Sequence, residues 1–249
     1  MQLPDPNFPP ILNTRGVRAP LVPFAEACRL ASIGEMGAAD VLWARRLDRA
    51  ELAIVLEPEV TQTMARQILP LAMVSAADCL GALTPPQVAA TFCWPGTLLV
   101  NGGEIGSVRL AFADAAPDAV PDWLVLGVMI RVSHAADSGE PGEQPDITAL
   151  TDEGVPHLTR TDVLQSYAAH FMTWLDIWQD DGFRPVHEAW MFRVERKDET
   201  MTLHDGQRQV HGRLLGLDEG AGAIVKPENG DAMTLDLLDA LAAGADDAQ

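Results

Sequence analysis

The chain has 249 residues, of which 47% are apolar, and a formal net charge of −19. This negative charge repels the phosphate backbone of nucleic acids, so nucleic acid is not expected as a partner. No stretch of about 18 apolar residues occurs, so neither a transmembrane helix nor a membrane partner is expected. The first residues lack the basic and then apolar segments of a signal peptide. The cysteines (Cys28, Cys79 and Cys93) are odd in number and widely spaced. Together these features predict a cytoplasmic protein with reduced thiols and neither a disulfide framework nor a metal site.

The first part of the chain predicts an extended arm followed by helices and strands. Residues 1–23 are rich in proline and are expected to lie on the surface or on a partner. Composition and apolar spacing then predict a helix at 24–31, strands at 40–44 and 51–56, and a helix at 61–83. Thr61 or Thr63 is expected to cap the second helix, and Pro70 to kink it.

A β-hairpin is predicted at 92–110, centred on Asn101-Gly102. Both residues of this pair tolerate positive φ, as a type I′ turn requires. Residues 123–132 are apolar enough to form a central strand, and the polar, Gly- and Pro-rich residues 133–145 predict a mobile loop.

The last part of the chain predicts a long helix and then a small β-barrel. Apolar residues at helical spacing predict an amphipathic helix at 161–181, ended by Gly182. Short apolar runs separated by turn residues follow and predict strands at 192–195, 201–204, 209–217 and 223–226. A terminal helix is predicted at 235–243.

Three segments in this order resemble the biotin and lipoate protein ligase family. Cys93-Trp94-Pro95-Gly96 through Gly106 is similar to the family's K-W-P-N-D strand, turn and K-[LVI]-[AG]-G. Residues 127–132 are similar to its G-[IA]-G-I-N-V strand, and residues 161–219 to its helix and C-terminal SH3-like barrel. The resemblance implies an α+β fold with a mixed β-sheet packed against helices, divided into an arm (1–23), a ligase-like domain (24–188) and a barrel with its tail (189–249).

Members of this family activate biotin or a lipoyl-type acid with ATP as an acyl-adenylate and pass the acyl group to a lysine of a carrier domain. That chemistry needs a cation where negative charge develops on the carboxylate and the α-phosphate. It also needs a Gly- and Arg-rich loop that folds over the adenylate. The only lysines of this chain are Lys197 and Lys226.

The chain departs from the family at the positions that carry this chemistry. Cys93 matches the catalytic lysine, Glu104 the second lysine of the hairpin, and Arg131 the asparagine of the G-I-G-I-N-V strand. Gly96 and Thr97 stand where the family has asparagine and aspartate. Residues 45–49, which are basic and contain no glycine, replace the Gly-rich loop and are too few to wrap an adenylate.

Each candidate site residue has a functional and a structural interpretation. Trp94 and Pro95 line an acyl pocket or anchor a core. Cys93 is a nucleophile that takes an acyl group as a thioester, activated by His134 or His170, or it is an inert buried thiol. The remaining candidates for ligand binding are two arginines of the basic turn, an arginine in an apolar strand, and two glycines matched by the motif: Arg45, Arg46, Arg131, Gly96 and Gly106.

The sequence therefore predicts a ligase-like protein without adenylating activity. It is expected to bind a small carboxylic acid or acyl ligand, or a biotinyl or lipoyl carrier domain, and to use biotin, lipoate or ATP only if activity is retained. One alternative is an acyltransferase that uses Cys93 and an activated donor. Another is a protein-interaction module built from the arm and the barrel, and a homodimer is also left open.

Overall fold

A computed structural model describes residues 3–134, 146–196, 199–205 and 208–246. Most of residues 133–145, expected to form a mobile loop, therefore lie outside the described residues. The elements in chain order are β1 (Asn13–Val17), α1 (Pro23–Ser32), β2 (Asp40–Ala44), β3 (Arg49–Leu56), α2 (Gln62–Ala65), α3 (Ile68–Leu83), β4 (Ala90–Cys93), β5 (Thr97–Val100), β6 (Gly103–Phe112), β7 (Leu124–Arg131), α4 (Arg160–Asp181), α5 (Phe183–Arg193), β8 (Thr200–Asp205), β9 (Arg208–Leu217), β10 (Ala223–Pro227), β11 (Met233–Leu235) and α6 (Leu237–Asp246).

The main body is a seven-stranded mixed sheet in the order β1-β2-β3-β7-β6-β5-β4. Strand β1 pairs parallel with β2, and the other neighbours are antiparallel. Residues 13–17, which lie within the segment expected to be an arm, thus form the edge strand of the sheet. The mixed sheet packed against helices confirms the predicted fold class.

Helices cover the two faces of the sheet unequally. On one face, α1 packs on Leu42, Ala53, Val55 and Val125. On the other face, α3, α4 and α5 bury the alternate residues of the central strands, such as Leu52. Because side chains of a strand alternate between the two faces of a sheet, successive residues of β3 and β7 pack in turn against α1 and against the helices of the other face.

The sequence places the ends of the long helices. Thr159 caps α4 with a reciprocal capping box to Asp162, and Gly182, at φ 76°, ends the helix as predicted. The single helix expected at 61–83 is wrong, because the chain forms α2 and then α3. Pro70 lies in the first turn of α3, where a missing N–H removes no intrahelical hydrogen bond, so it starts a helix and does not kink one.

The predicted hairpin is formed by β5 and β6. Asn101 and Gly102 have φ of 50° and 86°, as a type I′ turn requires. Strand β4 pairs with β5, so residues 94–96 form a second turn at the beginning of the hairpin.

The C-terminal part is a four-stranded antiparallel sheet in the order β11-β10-β9-β8. Leu203, Val210, Leu214 and Val225 belong to the same apolar core as α3 and α4. The strand expected at 192–195 is wrong: residues 192 and 193 end α5, and Val194 contributes only an isolated bridge to Phe92. In the part of the chain that the structure describes, no helix has the length and apolarity to cross a membrane.

Candidate functional site

Trp94 faces the C-terminal sheet and does not face Arg131. Its side chain is buried, and the indole N–H donates a hydrogen bond to the carbonyl oxygen of Ala221 at 3.1 Å. Ala221 precedes β10, so this contact joins the main sheet to the C-terminal sheet. The geometry matches the core-anchor interpretation of Trp94.

Gly96 and Gly106 allow two close backbone approaches. A Cβ at Gly96 would collide with the carbonyl oxygen of Val108, whose N–H donates to the Gly96 carbonyl at 2.7 Å. A Cβ at Gly106 would collide with the carbonyl oxygen of Met129 on the neighbouring strand. Both glycines are therefore required by the fold of the hairpin.

Cys93 lies at the end of β4 in surroundings that oppose thiolate formation. Burial raises the pKa of its thiol, and the carboxylates of Glu195 and Glu104 raise it further, while the Arg196 guanidinium acts in the opposite direction. His134 lies 2.6 Å from the Asp152 carboxylate, and His170 contacts the carbonyl oxygen of Ser166 at 2.8 Å. Both histidines that could activate the thiol are thus engaged elsewhere.

Arg131 and Glu104 form an ion pair across β6 and β7. One guanidinium nitrogen lies 3.0 Å from the Glu104 carboxylate, and another donates to the Glu104 carbonyl oxygen at 3.0 Å. Glu104, which the resemblance matches to a lysine, is therefore neutralised by Arg131, which it matches to an asparagine.

Arg131 belongs to a charged region on the α1 side of the sheet. Arg49 stands directly opposite Arg131 in the β3–β7 ladder, and Glu51 stands opposite Met129. We call this region the arginine face, defined by Arg46, Arg49, Arg109, Arg131, Asp48, Glu51 and Glu104.

The acids of the arginine face differ in their surroundings. Asp48 contacts Arg46 at 2.9 Å and Arg49 at 3.0 Å. Burial opposes its ionisation, but these hydrogen bonds hold the pKa of Asp48 below its ordinary value. At Glu51 burial dominates, and it raises the pKa of the carboxyl although the nearby arginines act in the opposite direction.

The first turn of α1 covers the middle of β7 on the same side of the sheet as the arginine face. A Cβ at Gly127 would lie 2.5 Å from the ring of Phe24, so the ring rests on the backbone of β7. The arginine face begins beyond this contact, where Met129 and Glu51 are half-buried and Arg109 is exposed. Helix α1 thus closes one end of the sheet face and leaves the charged end accessible.

Arg45 lies apart from the arginine face. Its guanidinium forms a two-point ion pair with Asp5 of the N-terminal segment and stacks on the Trp43 ring at 4.7 Å. The structure therefore separates Arg45 from Arg46, and Trp94 from Arg131. Sequence reasoning missed Glu51 and Arg109, although the alternation of polar and apolar residues in β3 and β6 places both on the α1 side.

The residues present do not fit the adenylating chemistry of the resemblance. Lys226 donates to the Gly230 carbonyl oxygen at 2.8 Å in the C-terminal sheet, and Lys197 lies outside the described residues. Strand β2 ends at Ala44 and β3 begins at Arg49, so the connection is too short to enclose an adenylate.

Comparison with known proteins gives consistent matches over most of the chain. The sequence profile of the Biotin/lipoate A/B protein ligase family matches residues 8–192. The biotin–[acetyl-CoA-carboxylase] ligase of Paracoccus denitrificans is 26% identical over 175 residues, which are 70% of this chain and 72% of that protein.

Solved structures show the same architecture. A biotin protein ligase-like protein of unknown function from Silicibacter sp. TM1040 is similar with a TM-score of 0.83 and 31% identity, over 94% of this chain and 98% of that one. The apo biotin protein ligase from Aquifex aeolicus has a TM-score of 0.73 at 18% identity, over 92% and 97% of the two chains. At that identity the second likeness shows the fold alone.

Proposed function

Because the chain belongs to the biotin/lipoate A/B protein ligase family, we propose that it binds a small carboxylic acid on its arginine face without activating it as an adenylate. The acid is taken up free or attached to a carrier domain. The observation that carries the proposal is the position of Arg131, which stands opposite Arg49 and pairs with Glu104.

The charge balance of the arginine face favours an anion. Four arginines meet three acids there, in a chain whose formal net charge is −19. Two like charges directly opposite each other in an antiparallel ladder are unfavourable, and Arg49 and Arg131 form such a pair. Asp48 and Glu104 each offset one of these charges from one side. A ligand carboxylate between the two arginines would add to this compensation, and guanidinium groups suit carboxylates because they donate two parallel hydrogen bonds.

Three observations support binding without activation. The chain has no lysine before Lys197, the connection from β2 to β3 is short, and Glu104 places a negative charge where adenylation would need a positive one. The thioester route through Cys93 is disfavoured because burial raises the pKa of that thiol.

Isothermal titration of biotin, lipoate and octanoate in the absence of ATP tests the proposal. We expect at least one of them to bind, and we expect Arg131→Gln to weaken binding about tenfold or more, because a charge-assisted hydrogen bond contributes about 1.5–3 kcal/mol. Arg184→Gln is the matched control, since Arg184 is exposed on α5 and, within the described part of the chain, pairs only with Glu188.

A second measurement separates binding from catalysis. The protein is incubated with ATP, each acid and a carrier domain, and the carrier is weighed by intact mass spectrometry. We expect no mass gain. An ATP-dependent acylated carrier would overturn the proposal, as would equal affinity of the Arg131→Gln variant and the unaltered protein.

A further inference from the structure

A deep cleft of about 920 Å³ opens on the side of the sheet opposite the arginine face. It lies between the end of β3, the beginning of β7, helix α4 and the segment before β1. We call it the α4 cleft. Its floor is formed by Ile54 and Leu124, which alternate along their strands with residues of the α1 side.

The interior of the α4 cleft is apolar. Ile68, Phe171 and Leu175 contribute to its walls, and Met64 stands half-exposed at its edge. Sites for small molecules are typically clefts of about 300–1,000 Å³ with mostly apolar walls and a few fixed polar groups. The size and lining of the α4 cleft match that description.

One polar wall of the cleft is held rigid by hydrogen bonds. Gln67 is buried, its side-chain oxygen accepts from the Trp178 indole N–H at 2.7 Å, and its side-chain nitrogen donates to the Glu219 carbonyl oxygen at 2.6 Å. One acceptor and one donor position of the Gln67 amide are thereby used within the protein, which fixes the orientation of the amide in this wall.

The charge around the α4 cleft is negative. Among the described residues, the charged residues that line it are all glutamates, namely Glu57, Glu59 and Glu219. The C-terminus of α4 and the N-terminus of α5 meet at Gly182 beside the cleft, so their opposite partial charges offset each other and the glutamates determine the local charge.

We propose that the α4 cleft binds a small amphipathic cation, with an apolar body inside the cleft and an ammonium group beside its glutamates. The apolar walls favour the body through the hydrophobic effect. The carboxylates favour the positive group and disfavour an anion. This site is separate from the arginine face and takes a ligand of opposite charge, so the two proposals succeed or fail independently.

Three probes with the same apolar body, a phenyl ring and four methylenes, test the proposal: 4-phenylbutylamine, 4-phenylbutanol and 5-phenylpentanoate. Isothermal titration gives the affinity of each for the full chain. We expect the amine to bind about tenfold or more tightly than the carboxylate, with the alcohol between them, because the sign of the Coulomb energy reverses. A carboxylate that binds as tightly as the amine, or an amine that does not bind at millimolar concentration, would overturn the proposal.

Substitution at the edge of the cleft locates the binding site. Met64 is 45% exposed, so Met64→Arg is expected to fold and to weaken the amine about tenfold, while Met64→Leu keeps its affinity. Leu175→Trp fills the cleft and should abolish binding, with circular dichroism as the check on folding. Arg131→Gln should leave the amine affinity unchanged, and loss of amine binding in that variant would contradict the location.

Discussion

Replacing Trp94 with phenylalanine tests whether this residue anchors the two sheets to each other. The indole N–H donates to the Ala221 carbonyl oxygen at 3.1 Å, and the side chain is 6% exposed. Losing one neutral hydrogen bond costs about 1 kcal/mol. Losing the buried carbons by which the indole exceeds a phenyl ring costs about 1–2 kcal/mol more. We therefore expect Trp94→Phe to lower the free energy of unfolding by about 2–3 kcal/mol.

Urea unfolding followed by circular dichroism measures this effect. The matched control is Trp123→Phe, since Trp123 is half-buried beside α1 and makes no indole hydrogen bond among the described residues. We expect a smaller loss in the control. An unchanged midpoint for Trp94→Phe, or a loss of octanoate affinity at full stability, would refute the anchor and restore Trp94 as a ligand-lining residue.

Three further predictions follow from local geometry. Gly106→Ala should destabilise the protein by about 3 kcal/mol, because the added Cβ collides with the backbone of Met129. Gly81→Ala should stabilise it by about 0.5–1 kcal/mol, because a Cβ at this position of α3 contacts nothing. Thermal unfolding of both variants tests this pair of predictions. Burial lowers the pKa of His187, whose neutral ring accepts the Leu217 N–H at 3.2 Å. The contribution of this ring to the free energy of unfolding is therefore complete above the ordinary pKa of 6.5 and is lost as pH falls through the folded value. Urea titrations from pH 8 to 5 should show this loss of stability, and His187→Gln should reduce it. Iodoacetamide should alkylate Cys93 at pH 8 at least about tenfold more slowly than free cysteine, because its pKa is raised, and rapid labelling would return the thioester route to consideration.

Local sequence signals predicted much of the fold. The Asn101-Gly102 turn, the central strand at β7 and the end of α4 at Gly182 follow from φ preferences and apolar runs that depend on few neighbours. The errors arose where tertiary packing decides. Residues 192 and 193 have strand-like composition but complete α5, whose buried face carries Val186 and Trp190.

The candidate site was predicted less completely. The motif match identified Arg131 and Glu104, but only the register of β6 against β7 shows that they form an ion pair. The sequence also grouped Arg45 with Arg46, because the two are adjacent in the chain. Their side chains bind Asp5 and Asp48 respectively, and the first of these partners lies far away in sequence.

The backbone contact between Gly96 and Val108 limits which residues the turn before β5 can hold. By the motif match, relatives with the family's K-W-P-N-D segment have asparagine at the position of Gly96. Restoring that asparagine here would force a side chain into the Val108 carbonyl oxygen, so the strands would first have to separate or shift register. We therefore expect this turn to accept no side chain at position 96 while β5 and β6 keep their present register, whatever residue the family motif carries there.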